Sequence, residues 1–126
     1  MIDDGARCPC GTGLVYGECC GRWHRGEAAP TAEALMRSRY CAFALGLVDY
    51  LLASWHPQAR PQQLELDASI QWRRLDILRT EAGGPFDCEG VVEFEARYRS
   101  LEGRGAQHEV SRFTREGGRW FYLGEA

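Results

Sequence analysis

The chain of 126 residues contains no lysine: all 15 of its basic residues are arginine. Genomic base composition can produce that bias, so it assigns no function. An excess of positive charge is also missing. The formal net charge is -3 and the isoelectric point about 5.6, whereas a protein built mainly to hold duplex nucleic acid carries a basic surface. Nucleic acid is therefore not the expected partner, although these totals still allow a local basic patch. No apolar run approaches the ~18 residues that a bilayer-spanning helix needs. The opening Met1-Ile-Asp-Asp-Gly-Ala-Arg7 is acidic and has no apolar core of a secretory signal. These absences predict a soluble cytoplasmic protein, with no membrane association and with reduced cysteines. Disorder is excluded by a composition of 44% hydrophobic and 11% aromatic residues, enough to bury a core. The length fits one domain, or one domain with a short appended module.

The six cysteines are unevenly placed. Cys8, Cys10, Cys19 and Cys20 crowd the start of the chain, while Cys41 and Cys88 stand alone. A disulfide framework would be spread along an exported chain, so the clustering points to a metal. Zinc takes four soft ligands in a tetrahedron, and two close cysteine pairs joined by a glycine-rich loop supply them. Pro9 stiffens the first pair, and Gly11 and Gly13 let the backbone bend around an ion. His24 is the alternative fourth ligand in place of Cys20. Four protein ligands leave no open position, which makes the Zn2+ site structural rather than catalytic. Residues 8–24 show no apolar periodicity, so ligand bonds are expected to supply their stability.

Two units follow from the patterning: a metal-binding segment at 1–25 and a domain at 30–126. Thr31, after Pro30, is placed to cap a helix that ends at Gly46, with Ala32, Leu35, Met36, Phe43 and Leu47 on its buried face. Asp49 is expected to cap a short helix over 50–54, closed off by Pro57. The period then changes to two. Strands are predicted over 70–78, 91–101, 107–116 and 119–124, with Gly103-Arg-Gly105 and Gly117-Gly118 as turns. Val92, Phe94, Ala96 and Tyr98 share one face of the second strand, and the charged residues between them share the other. Helices followed by an antiparallel meander make an α+β domain, with helices packed on one face of a curved sheet.

Cys8-Pro-Cys-Gly-Thr-Gly-Leu-Val-Tyr-Gly-Glu-Cys-Cys-Gly21 resembles the SEC-C motif, the zinc-binding element named after the C-terminus of the SecA translocation ATPase. Cysteine spacing, both glycines and Tyr16 match over about fourteen residues. The rest of the chain is similar to the bacterial YchJ-like family, which joins a SEC-C motif to an NTF2-like domain. Ala34-Leu-Met-Arg-Ser-Arg-Tyr-Cys-Ala-Phe43, Asp49-Tyr50-Leu51, Trp55-His-Pro57, Val92-Glu-Phe94, His108-Glu-Val-Ser-Arg-Phe113 and Arg119-Trp120 carry this resemblance in order along the chain. It implies a cone-shaped NTF2-like fold. Two departures stand out: the usual lysine pair of the motif is Leu14-Val15 and a later lysine is Gly17, so the motif's basic face is reduced to Arg7, Arg22 and Arg25.

An NTF2-like cone implies an opening lined by aromatics and a few polar groups, for which Tyr40, Trp55, His56, Trp72, Tyr98, Arg112 and Tyr122 are the candidates. His56 could act as a base at the rim, against the plainer reading of a capping and packing residue. His108 and Glu109 read first as a cross-strand polar contact. Arg37, Ser38, Arg39 and Tyr40 point in different directions around their helix. If Arg39 enters the cone it needs a partner, and Glu93, Glu95 or Glu109 could serve. Trp120-Phe-Tyr-Leu123 is apolar on both faces, so both should be covered, the outer one by the metal segment or by a second copy in a homodimer. The leading expectation is a non-enzymatic zinc-binding adaptor with a protein partner. The alternative is a binder of small molecules, or an acid–base enzyme, using the NTF2-like pocket.

Overall fold

The computed structural model describes residues 2–126. A 3-10 turn at Tyr16–Glu18 leads into α1 (Cys20–His24), α2 (Ala32–Leu45) and α3 (Val48–Ala53). Four strands follow: β1 (Gln71–Ala82), β2 (Glu89–Ser100), β3 (Gly103–Glu116) and β4 (Arg119–Glu125). They pair antiparallel in the order β1-β2-β3-β4, the expected meander, and α2 packs across β1, β2 and β4. No helix among the described residues is long and apolar enough to cross a membrane.

Local chemistry sets the ends of α2 where the sequence places them. The Thr31 hydroxyl accepts from the Ala34 amide at 3.0 Å, satisfying an orphan donor of the first turn. Gly46 closes the helix in the left-handed region at φ 76°, which glycine reaches without strain. The short α3 differs from expectation. It starts at Val48 behind Leu47, so Asp49 sits in the first turn as a dipole partner rather than as the cap.

Bulges explain how β1 keeps an apolar inner face. Trp72 faces Tyr98, Leu75 faces Ala96, Ile77 faces Phe94 and Thr80 faces Val92, with register shifts between Trp72 and Arg74 and between Ile77 and Arg79. Strict alternation would send Trp72 and Leu75 to opposite faces. The extra residues, Arg73 and Leu78, restore the phase and bend the strand. The β2–β3 hairpin turns at Leu101-Glu102, with Ser100 opposite Gly103, so the predicted turn at Gly103-Arg-Gly105 is strand. Gly105 serves close approach instead: a Cβ there would lie 2.6 Å from the Tyr98 ring.

The metal segment does not stand apart from this domain. Cys8, Cys10, Tyr16, Cys19 and Cys20 belong to the same buried cluster as Leu35, Met36, Cys41, Val92 and Phe113. Burial against α2 therefore contributes alongside any ligand bonds, a correction to the expectation for residues 8–24. The chain between segment and domain covers one side of β4, where Arg119 reaches the Gly26 carbonyl at 2.8 Å and Trp120 donates to the Pro30 carbonyl at 3.3 Å. Residues 54–56 cover the β4 edge through the Tyr122–Ser54 and His56–Tyr122 backbone bonds.

Candidate metal centre

A small hairpin holds the first cysteine pair. Arg7 and Val15 form an antiparallel bridge. The Tyr16 amide donates to the Ala6 carbonyl at 2.7 Å and the Cys8 amide to the Leu14 carbonyl at 2.9 Å. Gly11 at φ 86° and Gly13 at φ 93° turn the loop through conformations that side chains resist. The second pair enters at the start of α1. Gly21 is required there, because a Cβ would sit 2.7 Å from the Tyr16 carbonyl oxygen and 3.0 Å from its ring.

These elements bring Cys8, Cys10, Cys19 and Cys20 together. Their four sulfurs lie within 4.8 Å of one another and all four residues are buried; Cys10 and Cys19 approach to 3.6 Å. A tetrahedron with metal–sulfur bonds of about 2.3 Å has sulfur–sulfur edges of about 3.8 Å. The thiols present therefore fit a four-coordinate metal ion with little movement. All six cysteines of the chain are free thiols, so the cluster is not a disulfide pair. Hydrogen bonding to Cys10, then to Cys41 and Cys8, together with burial, pushes the Cys20 thiol up. A divalent ion would reverse that order by holding thiolates.

His24, the alternative ligand, is turned to another task. One ring nitrogen, Nδ1, lies 2.6 Å from the Tyr16 hydroxyl and the other, Nε2, 2.8 Å from the Ser38 carbonyl. The carbonyl can only accept, so Nε2 carries the proton and Nδ1 accepts from Tyr16. Burial lowers the His24 pKa, which keeps the ring neutral. His24 thus ties the loop to α2. Arg37 does the same from the other direction, donating to the Cys10 carbonyl at 2.9 Å while pairing with Glu33 at 3.0 Å.

Two groups at the centre escaped the sequence reading. Cys41, fully buried on α2, places its sulfur 4.0 Å from that of Cys8. Thr12, in the loop, places its hydroxyl 3.2 Å from the Cys19 sulfur and accepts from the Leu14 amide at 3.3 Å. Thr12 was legible as a hydroxyl between two glycines inside the motif. Cys41 carried no local signal, since its neighbourhood is made by tertiary packing.

The pocket candidates divide. Tyr40, Trp55, Trp72 and Tyr122 line a cavity of about 230 Å3 between α2 and the sheet, together with Arg39 and Glu109. His56 lies outside it, held by Glu116 at 2.8 Å and accepting from the Gln58 amide. Tyr98 lies beyond Trp72, packed edge-on to it at 5.4 Å. Arg112 is exposed on the far side of β3, because its neighbours Ser111 and Phe113 point inward. Arg39 enters the cavity but pairs with no carboxylate among the described residues: Glu93 is held by Arg79 and His108, and Glu95 by Arg97. His108 and Glu109, adjacent on a strand, face opposite sides.

Comparison with known proteins agrees with this architecture. Residues 31–125 match the model of the YchJ middle NTF2-like domain, and residues 6–22 match the SEC-C motif. The chain belongs to the YchJ-like family. A UPF0225 protein of Corynebacterium glutamicum is 58% identical over 119 residues, covering 94% of each chain. Another, from Streptomyces coelicolor, is 53% identical over 116 residues, covering 91% of this chain and 90% of its own. Among solved structures, a SEC-C motif-containing protein from Rhodopseudomonas palustris superposes with TM-score 0.81 at 34% identity, covering 94% of this chain and 96% of that one. A second, from Psychrobacter arcticus, gives 0.80 at 28% identity, covering 98% and 83%. In this YchJ-like chain the SEC-C segment and the NTF2-like domain meet along α2, through His24, Arg37 and Cys41.

Proposed function

We propose that Cys8, Cys10, Cys19 and Cys20 hold a structural Zn2+ and that the chain is a non-enzymatic adaptor, presenting the metal-stapled loop to a protein partner. The observation that carries the metal reading is the convergence of four buried sulfurs within 4.8 Å. A soft, all-sulfur donor set selects zinc over the hard cations. A shell completed by four protein ligands leaves no site for water or substrate, so the ion's work is to hold the loop. The chemistry of the loop surface supports a protein partner. Gly11, Thr12, Gly13 and Leu14 are exposed and uncharged, with Leu14 half in solvent where related motifs carry lysine. Such a surface offers backbone groups and apolar contact rather than phosphate recognition.

Metal analysis of the purified protein, with thiol titration before and after a chelator, tests the first part. One zinc per chain is expected, with the exposed Cys88 reacting at once and the four loop thiols reacting only after chelation. A metal-free protein that stays folded and takes up no zinc would overturn it. The second part is tested by affinity capture with wild type and a Cys19→Ser/Cys20→Ser variant. The adaptor reading predicts a partner lost with the variant, and identical partner sets from two folded samples would end it.

A further inference from the structure

A cavity lies between α2 and the sheet, on the side of α2 next to the one that meets the metal loop. Its walls are Met36, Tyr40, Phe43, Trp55, Trp72, Phe94 and Tyr122, and its polar groups are few. Arg39 is almost fully buried there. One of its terminal nitrogens, Nη1, donates to the Leu51 carbonyl at 2.8 Å and the Ser54 hydroxyl at 2.7 Å. That uses both protons on Nη1 and leaves the three on Nη2 and Nε without a partner among the described residues. Neither nitrogen is a sealed, unsatisfied atom, and Arg39 lines the cavity. The guanidinium packs against an adjacent pair of aromatics, 4.4 Å from the Tyr122 ring centre and 5.1 Å from that of Trp55, the two rings meeting edge-on at 5.2 Å. In the same wall the Trp55 indole N–H is buried with no acceptor.

Glu109 is the one carboxylate lining the cavity. It does not pair with Arg39: among the described residues no carboxylate lies within 4.0 Å of that guanidinium. One oxygen, Oε2, accepts from the Tyr122 hydroxyl at 2.8 Å and from the Ser111 hydroxyl. The other, Oε1, has only the Gln107 amide at 3.4 Å and keeps accepting capacity, since a carboxylate has about four lone-pair sites. Thus a cation needing an acceptor and an anion able to take a donor share one aromatic box without touching. An anionic ligand would satisfy Arg39 and meet Glu109 as a like charge; a cation would do the reverse. A neutral ligand with one acceptor and one donor answers both, and a flat ring fits walls of Trp, Tyr and Phe.

We propose that this cavity binds a small planar neutral heterocycle of the lactam type, its carbonyl accepting from Arg39 and its ring N–H donating to Glu109. A buried site built to hydrogen-bond a donor rejects an analogue without it, because its own polar groups are then left unpaired.

A matched set of probes tests this: 2-quinolone, its N-methyl derivative and quinoline-2-carboxylate. Binding is read from the indole N–H resonances of Trp55 and Trp72 in the zinc-loaded protein. The lactam is expected to bind and shift both, the N-methyl form to bind about tenfold more weakly or worse for lack of the donor, and the carboxylate to bind more weakly than the lactam. Ala96→Leu places a larger side chain into the cavity and should abolish binding. Glu109→Gln, which preserves shape, should weaken the lactam about tenfold and leave the N-methyl form unchanged. Equal binding of the lactam and its N-methyl form, preference for the carboxylate, binding that survives Ala96→Leu in a folded sample, or no shift of either indole by the lactam would each overturn the proposal.

Discussion

Five thiols crowd the metal loop and a tetrahedral ion takes four, so single cysteine replacements can separate ligands from a neighbour. Cys20 and Cys41 are equally buried. Cys20 lies within 4.8 Å of the other three loop sulfurs, whereas Cys41 stands outside that foursome, beside Cys8 at 4.0 Å and beside Cys20. Cys20→Ala removes a ligand, and the purified variant should carry well under one zinc per chain. Cys41→Ala removes an S–H donor to the Cys8 sulfur and leaves four ligands. A hydrogen bond to a charged acceptor is worth about 1.5–3 kcal/mol, and a long contact between sulfurs belongs at the lower end. Loss of an outer partner of a metal ligand typically costs about 10–100-fold in affinity. Cys41→Ala should therefore bind zinc about tenfold more weakly, roughly 1.4 kcal/mol, with stoichiometry still near one. Competition against a chromophoric chelator gives the affinity, and the thiolate-to-cobalt absorption of the Co2+ form counts the sulfurs bound. If Cys41→Ala empties the site while Cys20→Ala keeps it, the ion belongs to Cys8, Cys10, Cys19 and Cys41, and the assignment is refuted.

Three other perturbations follow from particular contacts. His24 joins Tyr16 to the Ser38 carbonyl at 2.6 and 2.8 Å, so His24→Ala should cost about 1–3 kcal/mol by stranding buried polar groups, read as a lowered urea midpoint; an unchanged midpoint would mean that the loop docks without it. Burial lowers the pKa of this histidine below its ordinary 6.5, so below that pH the unfolded chain binds a proton that the folded chain does not. The His24 contribution is complete above 6.5 and is lost as pH falls through the folded value, so between about pH 7.5 and 5.5 wild type should lose more stability than His24→Gln. Acid release of the metal is common to both and cancels in the difference; parallel losses would contradict the sign. Gly21→Ala places a methyl 2.7 Å from the Tyr16 carbonyl and should destabilise by about 1–3 kcal/mol, visible as a lower thermal midpoint and weaker zinc retention.

Elements with a strong local signal were legible in advance. The caps at Thr31 and Gly46 are local chemistry, and they stand where the structure has them. Alternation in β2 was equally plain, since Val92, Phe94 and Ala96 are buried between half-exposed neighbours. The errors occurred where a glycine or a charge answers to something distant. Gly105 resembles a turn residue but accommodates the Tyr98 ring. Arg112 resembles a pocket arginine, yet its place between two inward residues sends it to solvent; strict application of the two-residue period would have shown this. The motif brought four cysteines into consideration through their spacing alone. Cys41 shares their neighbourhood only because α2 packs on the loop, and no spacing rule joins residues 8 and 41.

That helix also explains why the two halves of the chain cannot be treated as beads on a string. Met36, Arg39, Tyr40 and Phe43 recur at i, i+3, i+4 and i+7 and form one wall of the cavity. Arg37, Ser38 and Cys41 form a neighbouring stripe and reach the Cys10 carbonyl, His24 and Cys8. Two working surfaces on one helix leave it little solvent face, which is why Ser38 and Arg39 are as buried as Leu35 and Met36. A reading that looks for one apolar stripe opposite one polar stripe finds only half of such a helix. The polar residues along α2 are therefore not a solvated face. Ser38 and Arg39 are buried with backbone carbonyls or hydroxyls to meet them, and half-buried Arg37 meets the Cys10 carbonyl and Glu33, which lets a charged helix serve as the common wall of the metal loop and the cavity.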